Sequence, residues 1–155
     1  MRRKGSQGFA VRAMRGSDLE KVAEIEARCF RSPWSLRMLA AELEYDWSTT
    51  LVAVSSRSPK DVVGFLVYWT IVDEVHILDL AVDPDLARRG IGSTLVKAML
   101  ENARAEGSRR VSLEVRRSNE VAKKLYREEG FRAVGVRRKY YVDEGEDAII
   151  MELEL

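Results

Sequence analysis

Residues 78–100 read LDLAVDPDLARRGIGSTLVKAML. The stretch opens as an apolar strand, turns at a proline-containing loop and passes two arginines and two glycines. It then takes up helical spacing, with Ile91, Leu95, Ala98, Met99 and, just beyond, Ala103 on one face. Gly90 and Gly92 let backbone come close to a ligand, and a helix N-terminus offers unpaired N–H groups and a partial positive charge. Arg88 and Arg89 add two full charges, which together make a cradle for a diphosphate. The third glycine of a dinucleotide fingerprint would fall at Leu95, and no Gly-Lys-Ser/Thr follows, so neither of those nucleotide motifs is met. The same glycines suit a plain helix start, and a lone Gly-x-Gly does not separate the two uses.

Working outward, EVHILDLAV (74–82) is the last of three β-branched or aromatic runs, after LVAVSS (51–56) and VVGFLVYWTIV (62–72). Their separators, SRSPKD and Asp73-Glu74, are the punctuation of an antiparallel meander. Upstream, FAVRAMR (9–15) alternates as a strand, and Ser17 is placed to cap a helix with Leu19, Val22, Ile25 and Cys29 at helical spacing. Ser32-Pro33-Trp34-Ser35 breaks that helix, and Ser35 can cap a second one, LRMLAAELEY. Downstream, Gly107 ends the helix begun at Gly90, and RRVSLEV (109–115) alternates again. A helix over about 119–129 stops at Gly130, and FRAVGVRRKYYV and AIIMELEL close the chain as strands. The order βααβββαβαββ predicts one α/β (α+β) domain over residues 1–155, with a mixed central sheet of about seven strands and about four flanking helices. Residues 1–8 are expected to be a flexible extension.

Hydrophobic residues at 46% and charged residues at 33%, with a net charge of +1, describe a folded chain and exclude a disordered one. One cysteine (Cys29) and one histidine (His76) exclude a disulfide scaffold and a structural zinc site, and no metal is expected. No window approaches 18 uninterrupted apolar residues, and MRRKGSQGF has no apolar segment behind its basic residues, so a cytoplasmic location without membrane contact is expected. The net charge hides an uneven pattern: +4 over 1–31, −5 over 32–83, +8 over 84–139 and −6 over 140–155. A basic central segment suits an anionic ligand, although such runs are often only solvated faces.

Taken together, Arg88-Arg89-Gly90-Ile91-Gly92-Ser93 after the strand Leu80-Ala81-Val82, followed by LEVRRSNEVAKKLYREEGF, resembles the acetyl-CoA-binding core of the GNAT N-acetyltransferases. SPWS (32–35), LEVRRSN (113–119), LYREEGF (125–131), RRKYY (137–141) and EDAIIM (146–151) extend the resemblance to the RimI-type members, which acetylate the N-terminal alanine of a small-subunit ribosomal protein. It covers residue 9 to the C-terminus. The resemblance implies the GNAT fold, acetyl-CoA as cosubstrate and a protein or peptide N-terminus as acceptor. Neither nucleic acid nor a second copy of the chain is expected as a partner. Where the family's loop usually begins with Gln or Arg, this chain has Ala87, which removes one side-chain contact from a motif that works mainly through backbone N–H groups.

Acetyl transfer to an amine needs a neutral nucleophile, a polarised thioester carbonyl and a proton for the departing thiolate. An α-amino group titrates near ~7.7–8.0 and a lysine near ~10.4, so a chain N-terminus is the easier acceptor. In RRVSLEV, Val111, Leu113 and Val115 share one face, which leaves Glu114 on the other; a carboxylate in a partly dry cleft is expected to have a raised pKa. On the residues alone Glu114 could equally be a surface carboxylate, and Tyr126, at the border of its helix's apolar stripe, a packing residue. The resemblance places Glu114 as general base and Tyr126 as general acid. It also implies that Asn119, besides capping a helix, contacts the pantetheine–diphosphate arm, as do Arg88 to Ser93. The backbone of Leu80, Ala81 and Val82 is implied to pair with pantetheine and to offer an N–H to the oxyanion. Trp34, Tyr140 and Tyr141 are implied to line the peptide groove. His76 reads as a half-buried residue sharing a face with Leu78, Leu80 and Val82, and as a second candidate for proton relay. Cys29 reads as a core residue rather than an acyl carrier. Two other readings stay open: a GNAT enzyme for a small amine such as a polyamine or antibiotic, and a non-catalytic acyl-CoA sensor or nucleic-acid-binding module.

Overall fold

The structure, a computed structural model, describes residues 3, 4 and 8–155, so the extension expected over 1–8 falls largely outside the described residues. The strands are β1 (Arg3–Lys4), β2 (Phe9–Ala13), β3 (Ser48–Ser55), β4 (Ser58–Ile71), β5 (Glu74–Val82), β6 (Arg110–Arg116), β7 (Arg132–Tyr141) and β8 (Glu146–Glu154). They form one sheet in the order β1-β2-β3-β4-β5-β6-β8-β7, one short strand more than the seven expected. Among the described residues only β5 and β6 pair in parallel, as the strand–helix–strand crossover through α3 (Ile91–Ala105) requires. β8 inserts between β6 and β7, so the last two strands do not lie in chain order.

Both faces of the sheet are covered. Val62 to Tyr68 in β4 is an unbroken buried run, as a strand with helices on both sides must be. On one face, Leu95, Val96 and Met99 of α3 pack with Tyr126 of α4 (Glu120–Glu128) over Val75, Ile77, Val111 and Leu113. On the other, Val22 and Ile25 of α1 (Leu19–Cys29) and Leu39 of α2 (Leu36–Glu42) cover Val52, Phe65 and Val67. Among the described residues no helix is long and apolar enough to cross a membrane.

The helix ends follow local chemistry. Ser35 accepts the Met38 N–H at 3.1 Å, Asn119 accepts the Ala122 N–H at 3.1 Å, and Gly107 takes the left-handed φ of +79° past the end of α3. At α1 the boundary is Asp18, not Ser17. A 3-10 turn, Gly16–Asp18, comes first, and the buried Asp18 carboxylate accepts the Arg15 N–H at 2.7 Å and both ends of the Arg12 guanidinium at 2.7 and 2.9 Å. A charged acceptor with a fixed bidentate partner outcompetes a neighbouring hydroxyl.

Two irregularities in β5 shape the rest. Val67 pairs with Asp79 and Tyr68 with Ile77, so Leu78 is an extra residue, a β-bulge. One added residue flips everything after it. Leu80 and Val82 therefore pack on the α3 side together with Val75 and Ile77, while Leu78 packs on the α1 side. His76 keeps Leu78 on its face but not Leu80 and Val82, contrary to expectation. In addition, β5 and β6 pair only from Glu74↔Arg110 to Ile77↔Leu113. Beyond that point β5 stays with β4, β6 stays with β8, and the sheet opens between them.

Candidate active site

The opening between β5 and β6 is a cleft of about 530 Å³, in the range of small-molecule sites. Its floor carries the polar face of β6. Burial alternates along that strand as expected, with Val111, Leu113 and Val115 inside and Glu114 facing the cleft. One carboxylate oxygen of Glu114, Oε1, accepts from His76 Nε2 at 2.7 Å, and Arg137 Nε lies 4.0 Å from the other. The parallel register explains the meeting: His76 stands opposite Ser112, and Glu114 is the next residue on that face. The hydrogen bond from His76 holds the Glu114 carboxyl below its ordinary value despite partial burial. This reverses the raised value expected for a lone carboxylate in a dry cleft: the partner outweighs the desolvation.

Tyr126 lies across the cleft on α4. It is 5% exposed, packs edge-on against Phe131 at 5.5 Å, and is pushed well above the usual phenol range by burial and then by the nearby Asp79. Tyr126 therefore keeps its proton at neutral pH. Trp34 walls the cleft from the α1–α2 loop, and Tyr140 and Tyr141 from the end of β7. Arg116 stacks on the Tyr141 ring at 4.1 Å, and burial raises that phenol to about 12. The acidic C-terminal segment does not present free charge here: Asp143, Glu144 and Glu146 lie 3.3 to 3.5 Å from Arg116, and Ser32 donates to Asp143 at 3.1 Å. The negative charge facing the cleft comes from Glu114 and from the Glu26–Asp79 pair instead.

The other predicted residues divide into two groups. Leu80 and Asn119 line the cleft, with Asn119 also capping α4. Ala81 is buried on the α1 side, and the Val82 carbonyl accepts the Cys29 thiol at 3.2 Å, where burial raises the thiol and keeps it unreactive. Arg88 to Ser93 stand outside the cleft wall, at the start of α3. Arg88, Arg89 and Gly90 are exposed, Gly90 takes φ +78° as the N-cap, and no described side chain caps that helix end, so its first N–H groups remain available to an anion. Arg88 holds φ +67°, a costly conformation for a residue with a Cβ, which the turn into the helix imposes. Ile91 and Gly92 are buried, so only their main chain can serve a ligand. A Cβ on Gly92 would stand 2.8 Å from Leu125 Cδ1, which makes close packing of α4 on α3 the reason for that glycine. The Ser93 hydroxyl donates to Glu129, which Lys97 also binds. This uncapped, doubly basic helix start fits a diphosphate.

Sequence reading missed Glu26 and Asp79. Glu26 is 2% exposed and shares the buried face of α1 with Val22 and Ile25. The 22/25/26 spacing was the signal available. Asp79 interrupts the apolar run of β5 directly after the bulge, and burial and then the Glu26 carboxylate raise it to about 9.

Residues 19–131 match the acetyltransferase (GNAT) family. A Bacillus subtilis (strain 168) protein, provisionally named a [ribosomal protein bS18]-alanine N-acetyltransferase, is 38% identical over 143 residues, covering 92% of this chain and 93% of that one. The [ribosomal protein bS18]-alanine N-acetyltransferase of Escherichia coli (strain K12) is 31% identical over 147 residues, covering 94% and 97%. A crystal structure of the Escherichia coli ribosomal-protein-S18-alanine N-acetyltransferase superposes with a TM-score of 0.85 at 30% identity, covering 94% of this chain and 93% of that one. With the parted strands, the open helix start and similarity along nearly its whole length, this chain belongs to the GNAT acetyltransferase family, on its RimI-type branch.

Proposed function

We propose that the enzyme transfers the acetyl group of acetyl-CoA to the N-terminal α-amino group of a protein, and that the acceptor is the N-terminal alanine of small-subunit ribosomal protein bS18. The relatives named for that reaction support the acceptor. The observation that carries the chemistry is the cleft itself, with the Glu114–His76 pair on one wall and Tyr126 on the other.

In this reading the amine attacks the thioester carbon directly. The carbonyl oxygen gains negative charge beside the edge of β5 at Leu80, where β6 has parted from it, and the Leu80 N–H, shared with the Asp79 carboxyl, is the donor. The nitrogen loses its proton to Glu114, which is ionised and acceptor-ready because His76 holds it so. The C–S bond then breaks, the acetyl group stays on nitrogen, and the sulfur leaves as thiolate. A thiol titrates near ~8.5, far below buried Tyr126, so the phenol steadies the leaving sulfur by donating a hydrogen bond, and any proton it passes to the thiolate is replaced by the one Glu114 took from nitrogen, leaving no phenolate in the buried site. Arg88, Arg89 and the α3 N-terminus hold the diphosphate, while Trp34, Tyr140 and Tyr141 enclose the incoming residue.

The test compares release of free coenzyme A with three acceptors: a basic peptide beginning with Ala, the same peptide blocked at its N-terminus but containing Lys, and a polyamine. Rapid release with the unblocked peptide alone is expected. Release with the polyamine would assign a small-amine enzyme, and binding of acetyl-CoA without release would assign a sensor.

A further inference from the structure

The Glu26–Asp79 pair takes no part in the chemistry above, yet it lines the same cleft. Glu26 comes from α1 and Asp79 from β5, and both line the cavity. Glu26 Oε2 accepts the Trp34 backbone N–H at 3.0 Å, which ties the α1–α2 loop to the pair. The remaining oxygens, Glu26 Oε1 and Asp79 Oδ2, are buried and have no N–H or O–H donor from any described residue. Glu26 is 98% buried on the 2% exposure noted above, so this is a built feature of the cleft and not a surface acidic patch. Burial and then the Glu26 carboxyl favour the protonated form of Asp79, so the pair carries one proton at neutral pH.

Position ties the pair to the reaction. The bulge at Leu78 turns Asp79 toward α1 and places it one residue before the Leu80 N–H, which itself favours the charged form of Asp79. From the far wall, Tyr126 feels the Asp79 charge. Asp79 is therefore in contact with the proposed oxyanion donor and within electrostatic reach of the proposed acid. A nucleophile must come within about 3–3.5 Å of the thioester carbon to react, and the cleft it must enter is the one that these two carboxyls line.

We propose that Asp79 and Glu26 form the seat of the acceptor's α-ammonium group, accepting its N–H donors before Glu114 removes the proton. This rests on, and deepens, the reading of the chain as an N-terminal acetyltransferase. The chemistry matches in kind and in charge. A pair with one shared proton carries a net charge of −1 and two unfilled acceptor sites, and an ammonium brings +1 and three donors. A divalent metal is a poorer fit, because two carboxylates fall short of an oxygen cage. Among the described residues, no three His, Cys, Asp or Glu side chains are grouped so that they could hold a metal ion. The seat also supplies selectivity, since an acetylated N-terminus has no charge and one donor, so product is released where substrate is held.

The experiment uses the full chain with coenzyme A bound and measures affinity for two peptides: the Ala-initiated basic peptide, and its analogue carrying a hydroxyl in place of the α-amine. Wild type should prefer the amine by about 10- to 100-fold, the range of a hydrogen bond to a charged group. Asp79→Asn, close in shape, should bring that ratio toward one and raise the peptide KM by a similar factor, with a smaller fall in kcat. Glu26→Gln, which keeps an acceptor for the Trp34 N–H, should cut the ratio as well. Glu114→Gln should keep the larger part of the ratio while losing kcat. An unchanged ratio in Asp79→Asn, or a wild-type ratio near one, overturns the seat. The wild-type ratio decides the matter even where a variant fails to fold. Failure of the parent reading looks different: wild type then releases no coenzyme A with the unblocked peptide at all.

Discussion

Glu114→Gln separates two things a base can do, and the structure sets the size of each. The Gln amide keeps the shape of the side chain and a hydrogen-bonding partner for His76, now 2.7 Å from Glu114 Oε1, so the cleft should persist. An α-amine of pKa ~7.7–8.0 costs only about 1–1.4 kcal/mol to deprotonate at pH 7, a factor of about 5 to 10 in rate, and nothing at pH 9. If the Glu114–His76 pair merely strips the ground-state ammonium, the variant loses about tenfold at pH 7 and recovers fully at pH 9. A base that takes the proton as the N–C bond forms contributes about 10²–10⁴-fold, and raising the pH restores no more than the tenfold part. The second outcome is expected. Because His76 holds the Glu114 carboxyl below its ordinary value of 4.5, the wild-type base is ionised throughout pH 6–9 and adds no limb of its own there. The rise of wild-type rate up to about pH 8 should then follow the amine, with Asp79, raised to about 9, entering only above it. The assay is kcat for the Ala-initiated peptide from pH 6 to 9 in both proteins. A variant deficit under tenfold at pH 7, or full recovery at pH 9, refutes the assignment of Glu114 as the base of the chemical step.

Tyr126→Phe removes the phenol from the leaving sulfur and should lower kcat about 10²-fold, at the mild end of acid–base effects because a thiol leaves reasonably as thiolate. Single-turnover rates measure this, and an unchanged rate removes the role. Asp18→Asn should destabilise the fold. Breaking a buried ion pair costs about 3–5 kcal/mol, but Arg12 keeps the Ala13 and Pro59 carbonyls and Asn keeps one acceptor oxygen, so about 2–3 kcal/mol and a melting point roughly 5–10 °C lower are expected. Arg12 holds the Asp18 carboxyl below its ordinary 3.8, so the stabilisation is complete above that pH and is lost as pH falls through the lower folded value. Urea titrations at pH 7 and pH 3 should show the wild-type advantage shrinking in acid.

What could be read from the sequence was what neighbours along the chain decide. Ser35, Asn119 and Gly107 end their helices by contacts three or four residues away, and all three stand where periodicity and capping place them. Alternation in β6 put Glu114 on the polar face for the same reason. The sequence could not show the order of β7 and β8 or the pairing of Arg3–Lys4, because strand neighbours far apart in the chain leave no local mark. Asp18 displaced Ser17 through Arg12, a partner on another element.

The bulge at Leu78 shows why the site was harder to read than the fold. It exists only as a mismatch between β5 and β4, so strict alternation carried past it assigns every later residue to the wrong face. Leu80 and Val82 thereby moved to the α3 side, and Asp79 was turned toward Glu26. The sign of the Glu114 shift failed for a related reason: desolvation is a property of one residue's surroundings, whereas the His76 hydrogen bond depends on the parallel register of β5 on β6. The two carboxyl arrangements in the cleft thus have opposite character because one met an imidazole and the other met a second carboxyl. A site that must hold a cation and then deprotonate it needs that difference, with an ionised acceptor on one wall and a proton-sharing pair on the other.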